Sequence, residues 1–324
     1  MNYYLYKLKP KTPMHFGDSE SSRSLERSLM SFCADTLFSG LCHVAYNLDG
    51  EEGIDRLVSE VKGGNLLISD GMPFFDDTLY LPKPFIKHSH SGNMIYKYGK
   101  ELKKLSYIPV EKLKKFIEFT EGKETIDLED YKSTFGIETV VTRASIRGEE
   151  QSKPYTIGAY RFKEDAGLYI ILGYSSEELL EYIKKLLSLL GMGGIGGKTT
   201  SGYGRYEMDD EIYLDEPFDE QTNSLKEMLS HEQCNAYISI TTALPLEMEM
   251  ETALKESSFG LVRRGGFVSS ETFAQRPYKK KTQYFLKSGS VFRNIFEGDI
   301  YDVSIGGTHP CYRYAKPIFL GVKI

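Results

Sequence analysis

The stretch from Gly191 to Arg205, GMGGIGGKTTSGYGR, constrains the fold more than any other part of the chain. Seven of its fifteen residues are glycine, set among three hydroxyl side chains (Thr199, Thr200, Ser201) and two cations (Lys198, Arg205). Glycine loses more conformational freedom on folding than any other residue, so such a run implies backbone forced through positive φ or closely approached by another group. Amides flanked by Lys198 and Arg205 suit a phosphate-bearing partner. Two nucleotide-binding motifs are imitated, and neither holds. Gly191-x-Gly193-x-x-Gly196 spells a dinucleotide fingerprint, which must follow a strand and open a helix. Here the order is reversed. Gly197-Lys198-Thr199 resembles the end of a P-loop, but the position that needs the first glycine is Met192.

The flanks give that order. Ser175 and Glu178 form a capping box, and Leu179, Leu180, Ile183, Leu186, Leu187 and Leu190 recur at helical spacing. Gly191 is expected as the left-handed C-cap. Leu168 to Leu172 reads as a buried strand, and Tyr203 to Met208 as the strand after the loop. The unit is therefore strand, helix, glycine loop, strand.

At 324 residues there is room for two cores. The four cysteines (Cys33, Cys42, Cys234, Cys311) have no metal spacing and read as reduced, mostly buried thiols of a cytoplasmic protein. No apolar run reaches membrane-span length. A formal net charge of −6 argues against nucleic acid, but the charges are segregated. Glu207 to Glu220 holds eight acids and no base, whereas Thr272 to Phe296 holds six bases and no acid. Arg143 and Arg147 stand alone in another acid-free stretch. Charges are screened over roughly 8 Å at physiological salt, so a bound polyanion responds to local basic surface rather than to the total.

Along the chain, a strand over Tyr3 to Lys9 precedes a helix from about Asp35. Ile68 to Lys87 predicts irregular paired strands, and Leu102 to Phe119 a helix-prone segment broken by Pro109. Ile137 to Arg143 and Pro154 to Arg161 predict a hairpin with its tip near Arg147 to Gln151. A β-α-β start and a β-α-β end make a ferredoxin-like domain with the hairpin as an insertion. The acidic segment is the expected boundary between residues 1–215 and a β-rich second domain, 216–324.

Several motifs in order, His15-Phe16-Gly17, Ala34 to Leu41, Leu81-Pro82-Lys83-Pro84, Thr241 to Pro245, Gly265 to Ser270, Lys287 to Phe292, Gly298 to Val303 and His309 to Pro317, join the glycine loop in a resemblance. The chain resembles the RAMP superfamily of CRISPR effector subunits, and within it the subunit type that caps the guide RNA 5′ end in type III-A (Csm) complexes. The resemblance implies an α+β chain of tandem ferredoxin-like (RRM-like) RAMP domains, the first carrying a β-hairpin thumb. It implies a noncatalytic subunit that grips the 5′ handle of the crRNA, meets target RNA near the handle, and bridges the large palm-domain subunit to the backbone RAMP subunit, with no membrane, metal or cofactor.

The expected RNA contacts are His15, Gly193, Gly194, Ile195, Gly196, Gly197, Lys198, Thr199 and Ser201 around the loop, Arg143 and Arg147 on the thumb, and Lys279, Lys280, Lys281, Lys287, Ser288 and Arg293 in the basic run. The alternative is a metal-independent RAMP endoribonuclease that processes precursor crRNA with a histidine, for which His15 is the candidate. His88-Ser89-His90 and Asp76-Asp77 lack the companions of a metal site and read as surface loop and turn.

Overall fold

The computed structural model describes residues 1–17, 24–87, 99–145, 153–270, 273–274 and 278–324. Strand β1 (Asn2–Pro10) leads into a short ladder of β2 (Phe16–Gly17) and β3 (Ser28–Leu29), then helices α1 (Ala34–Asp49) and α2 (Glu51–Lys62). β4 (Leu66–Ile68) and β5 (Met72–Phe75) form one interrupted strand; β6 (Thr78–Pro82), β7 (Tyr107–Pro109) and α3 (Leu113–Thr120) follow. The hairpin is β8 (Gly136–Ser145) with β9 (Lys153–Phe162), and β10 (Ala166–Tyr174), α4 (Glu177–Gly193) and β11 (Tyr206–Tyr213) close the first half.

The main sheet runs β11-β1-β10-β5-β6-β7, with β4 also on β10 and every pairing antiparallel. Taking β1, β4/β5, β10 and β11 as the four principal strands, the order is fourth, first, third, second, with helices after the first and third. That is the ferredoxin-like arrangement, with β6 to β9 inserted. Period-two alternation divides β1 between two cores: Tyr4, Tyr6 and Leu8 face α1 and α4, while Leu5 faces the other way. β10 is buried along its whole length, which is why its sequence is a continuous apolar run.

The helix before the loop starts and ends differently from the expectation. Ser176, not Ser175, is the N-cap; its Oγ accepts from the Leu179 amide at 3.3 Å. Gly191 lies inside the helix, and Gly194, at φ 96°, reverses the chain. A Cβ on Gly191 would lie 2.6 Å from the Tyr206 carbonyl oxygen, so that glycine serves close packing of α4 on β11. Pro109 ends the edge strand β7, where its missing N–H costs no ladder bond, and the helical turns begin after it. α2 was not foreseen; Gly50, at φ 64°, separates it from α1. Asp76 and Asp77 make the β5–β6 turn, Asp76 at φ 49°. His88 to His90 and the hairpin tip lie outside the described residues.

In the second half, α5 (Glu220–Ser230) is capped by Asp219. There follow β12 (Ala236–Ser239), α6 (Met250–Leu254), β13 (Leu261–Arg264), β14 (Gln283–Leu286), β15 (Val291–Phe292), β16 (Ile300–Asp302), β17 (Tyr312–Tyr314) and β18 (Phe319–Val322). A sheet β15-β12-β18 and the ladders β13-β14 and β16-β17 carry the strands. Leu225, Ile238 and Leu320 share a core with Leu5 and Ile171 of the main sheet. Ile300 and Tyr314 join the opposite core, where Tyr314 meets Phe38 of α1 at 5.8 Å. The second half thus reaches both faces of the first sheet.

Asp70 is the clasp between the halves. Its carboxylate accepts from the Ala34 amide at the start of α1 (2.8 Å), and from the Thr242 amide (3.0 Å) and hydroxyl (2.6 Å). Burial raises its pKa against the opposing pull of those hydrogen bonds.

Candidate nucleic-acid interface

The glycine loop is a folded object held by its own backbone. The Ile195 amide donates to Gly204 O, Gly197 to His15 O, and Gly204 to Pro13 O, each at 2.9 Å. Lys198 adopts the left-handed conformation at φ 63° and launches a short 3-10 turn, Thr199–Ser201. Gly196, at φ 93°, passes so close to the first half that a Cβ would lie 2.7 Å from His15 O and 2.9 Å from the Phe16 ring. The amides of Gly194, Ile195 and Gly197 are therefore spent on the fold. Those of Gly196, Lys198, Thr199 and Thr200 make no hydrogen bond among the described residues.

The hairpin is anchored on this loop. β9 is bridged to Met14, and the Gly158 amide donates to Leu25 O at 2.8 Å. Arg143 of β8 lies over the Tyr203 ring at 5.5 Å, and Lys198 lies over Tyr155 of β9 at 5.4 Å. Arg143 and Tyr155 are register partners, so one rung of the hairpin makes both contacts with the loop. His15 is only 5% exposed, and its Nδ1 stands 2.6 Å from Gly158 O. A carbonyl only accepts, so Nδ1 carries the proton and donates.

The opposite wall comes from the second half and from α1. Asp35 receives a bidentate pair from Arg264 (Nε 3.0 Å, Nη2 2.6 Å), and Arg313 approaches it at 3.7 Å. Beside this cluster, Lys280 Nζ makes no ion pair or hydrogen bond among the described residues, and burial lowers its pKa. His43 Nε2 lies 3.1 Å from Ser269 Oγ; burial first, and then the Lys280 charge, hold His43 below the ordinary imidazole value. Glycine loop, α1 and these cations together line a groove of about 840 Å³.

The groove brings together some of the expected residues and not others. His15, Gly193, Gly194, Ile195, Gly196, Gly197, Thr199 and Lys280 line it. Lys198 faces the hairpin, Ser201 sits in the 3-10 turn, and Arg147 lies outside the described residues. Lys279, Lys281, Lys287, Ser288 and Arg293 do not line it: Lys279 rests over Phe267 at 5.8 Å, Lys287 neighbours Lys83, and Arg293 donates to Asn235 O. Arg264 and Arg313 escaped the sequence reading because nothing local ties them to Asp35. The cysteines are unpaired, and only Cys311 is buried; the other three are half-buried. Among the described residues, no three His, Cys, Asp or Glu side chains gather as a metal would need, and no helix is long and apolar enough to cross a membrane.

A ferredoxin-like sheet whose second helix runs into a glycine-rich loop is the hallmark arrangement of RAMP proteins, and the profile of the RAMP superfamily matches residues 7–207. The profile of the CRISPR Csm4 C-terminal domain matches residues 232–322. A Mycobacterium tuberculosis protein named CRISPR system Cms protein Csm4 is 34% identical over 309 residues, covering 95% of this chain and 94% of its own. A Streptococcus thermophilus protein of the same name is 28% identical over the full length of both. The chain belongs to the Csm4 family of CRISPR proteins. Among solved structures, it superposes on a chain of a Csm3–Csm4 subcomplex of a type III-A interference complex with a TM-score of 0.65, at 17% identity and 99% coverage of both chains. It superposes on a chain of a Csm1–Csm4 cassette in complex with pppApA with a TM-score of 0.62, at 20% identity, 99% coverage of this chain and 98% of that one.

Proposed function

We propose that this chain holds the 5′ handle of a crRNA in the groove between glycine loop, α1 and the second half, and does not itself cut RNA. The observation that carries this reading is the set of unused amides at Gly196, Thr199 and Thr200, which share one groove with Lys280. Backbone phosphates are the ligand that such donors fit. Arg143, and Arg147 beyond it, extend the contact to the guide–target junction, with His15 bracing the loop from below. Lys279, Lys281, Lys287, Ser288 and Arg293 form a second, outer RNA or subunit contact. The units are residues 1–215 and 216–324. Relatives are solved in a Csm1–Csm4 cassette and in a Csm3–Csm4 subcomplex; in this reading the chain bridges a large palm-domain subunit to the first backbone RAMP subunit.

A catalytic role for His15 is disfavoured by its burial and by the engagement of Nδ1 with Gly158. No acid or second imidazole hydrogen-bonds it among the described residues, and general acid–base catalysis needs a group within reach of the reacting oxygen. The test is incubation of the purified chain with labelled repeat RNA from its host. Retention of full-length RNA in a salt-dependent complex is expected. Progressive shortening that disappears in His15→Ala would establish the endoribonuclease instead.

A further inference from the structure

The groove has two chemically different walls. One, the glycine loop, offers amides; Lys280 lies on the other side, near His43. The other is α1, whose buried face (Ala34, Leu37, Phe38, Leu41, Ala45) packs in the core. Turned the other way, at helical spacing, are Ser39, His43 and Asn47, which line the groove. Ser39 Oγ and the Asn47 amide make no hydrogen bond among the described residues, and His43 has Nδ1 left over once Nε2 meets Ser269. At about 1.5 Å rise per residue these three groups span about 12 Å along the helix.

None of the three carries a formal charge when His43 is neutral, and each can donate or accept. Phosphates select cations and amides; unpaired base edges, which present donors and acceptors side by side, select groups of this kind. The two walls are also fixed relative to each other. At Gly40, α1 approaches α4 so closely that a Cβ would lie 3.0 Å from Leu190 Cδ2, and α4 is the helix that runs into the glycine loop. Phosphates seated on the loop would hold their bases at a set distance from α1.

We propose that α1 reads sequence: Ser39, His43 and Asn47 hydrogen-bond the edges of unpaired bases whose phosphates lie on the glycine loop. This rests on the handle-binding reading and assigns specificity to a helix outside the glycine loop, the thumb and the basic run. Ser269 is a positioning residue that fixes the His43 ring.

The test uses the full chain and a pool of single-stranded RNA oligomers of randomised sequence, with bound RNA recovered and sequenced. The wild-type chain is expected to enrich particular bases at one or more positions. His43→Ala and Asn47→Ala should each erase about tenfold enrichment at one position, with total RNA bound falling less than about threefold. Lys280→Ala should lower total binding and leave the base preferences intact. Neither α1 position belongs to a core, and unchanged thermal midpoints establish that the variants are folded. Base preferences that survive both α1 substitutions would overturn the proposal, as would RNA bound by the wild type with no base enriched. RNA not bound at all by the wild type would instead defeat the handle-binding reading on which it rests.

Discussion

The glycine loop and the basic run from Tyr278 to Arg293 are the two regions whose residues most suggest a polyanion, and they behave differently once folded. The loop stays one object: its amides close on Gly204, His15 and Pro13, and Gly196, Thr199 and Thr200, whose amides are unpaired among the described residues, line one groove. The run disperses. Lys280 turns into the groove, Lys279 lies over Phe267, Lys287 sits by Lys83, and Arg293 is tied to Asn235. Backbone conformation enforced by glycine is a local property that survives folding. Side-chain charge along strands and loops has its direction set by whatever packs around it.

Breaking the loop should have the largest effect. Gly204, at φ 82°, has no room for a side chain: a Cβ would lie 2.1 Å from the Ile195 carbonyl oxygen. Gly204→Ala is expected to cost about 3 kcal/mol or more from combined strain and overpacking, seen as a lower urea midpoint. Gly193 has nothing within 4 Å of its Cβ position, so Gly193→Ala should be neutral or stabilise by up to about 1 kcal/mol. Equal losses at both positions would mean that the loop is not held as described.

The clasp between the two halves of the chain comes next. Asp70→Ala leaves the Ala34 amide and both Thr242 donors without their acceptor, at a cost of about 2–4 kcal/mol. Asp70→Asn keeps an acceptor and should cost much less. Because burial raises the folded pKa above the ordinary 3.8, the protonated carboxyl is the one the fold favours. Its stabilising contribution is full below 3.8 and is lost as pH rises through the raised folded value. Wild-type stability should therefore fall relative to Asp70→Asn over that window in a pH series of denaturation curves. Parallel curves would show that Asp70 ionises in the fold as it does in the unfolded chain.

Lys280 sharpens the comparison within the run itself. Lys280→Met should weaken RNA binding about tenfold and flatten the salt dependence by about 0.7 in log–log slope, one single-strand phosphate contact. Burial already lowers the Lys280 pKa, so the free chain should be no less stable without it. Lys287→Ala and Arg293→Ala should leave the slope of the isolated chain unchanged. The reverse result in salt titrations would move the RNA path to the outer surface. The smallest effect belongs to the loop–hairpin contact: Arg143→Ala removes one cation–aromatic pair from an exposed strand, worth about 0.5–1 kcal/mol. A double-mutant cycle with Tyr203→Leu measures it, and zero coupling would show that the hairpin is held by β9 alone.

The sequence made the scaffold legible. β10, α4, the glycine loop and the hairpin lie close to their expected positions because each is announced by local periodicity, capping or glycine content. Where boundaries shifted, tertiary contact was the cause: α4 runs on past Gly191 because that glycine packs against Tyr206. α2 was missed although its buried residues, Leu57, Val58 and Val61, follow helical spacing.

By itself, then, the sequence determined a ferredoxin-like RAMP fold and the loop that marks its family, since strand alternation, helical stripes and obligatory glycines are written within a few residues of each other. Only the tertiary structure decided what shares the groove. The Asp35–Arg264 pair joins residues 229 apart, and the Asp70–Thr242 bond joins residues 172 apart. No local pattern encodes those meetings, because they depend on how the second half wraps both faces of the first sheet. The same packing that turns Lys280 into the groove leaves the rest of its basic run outside.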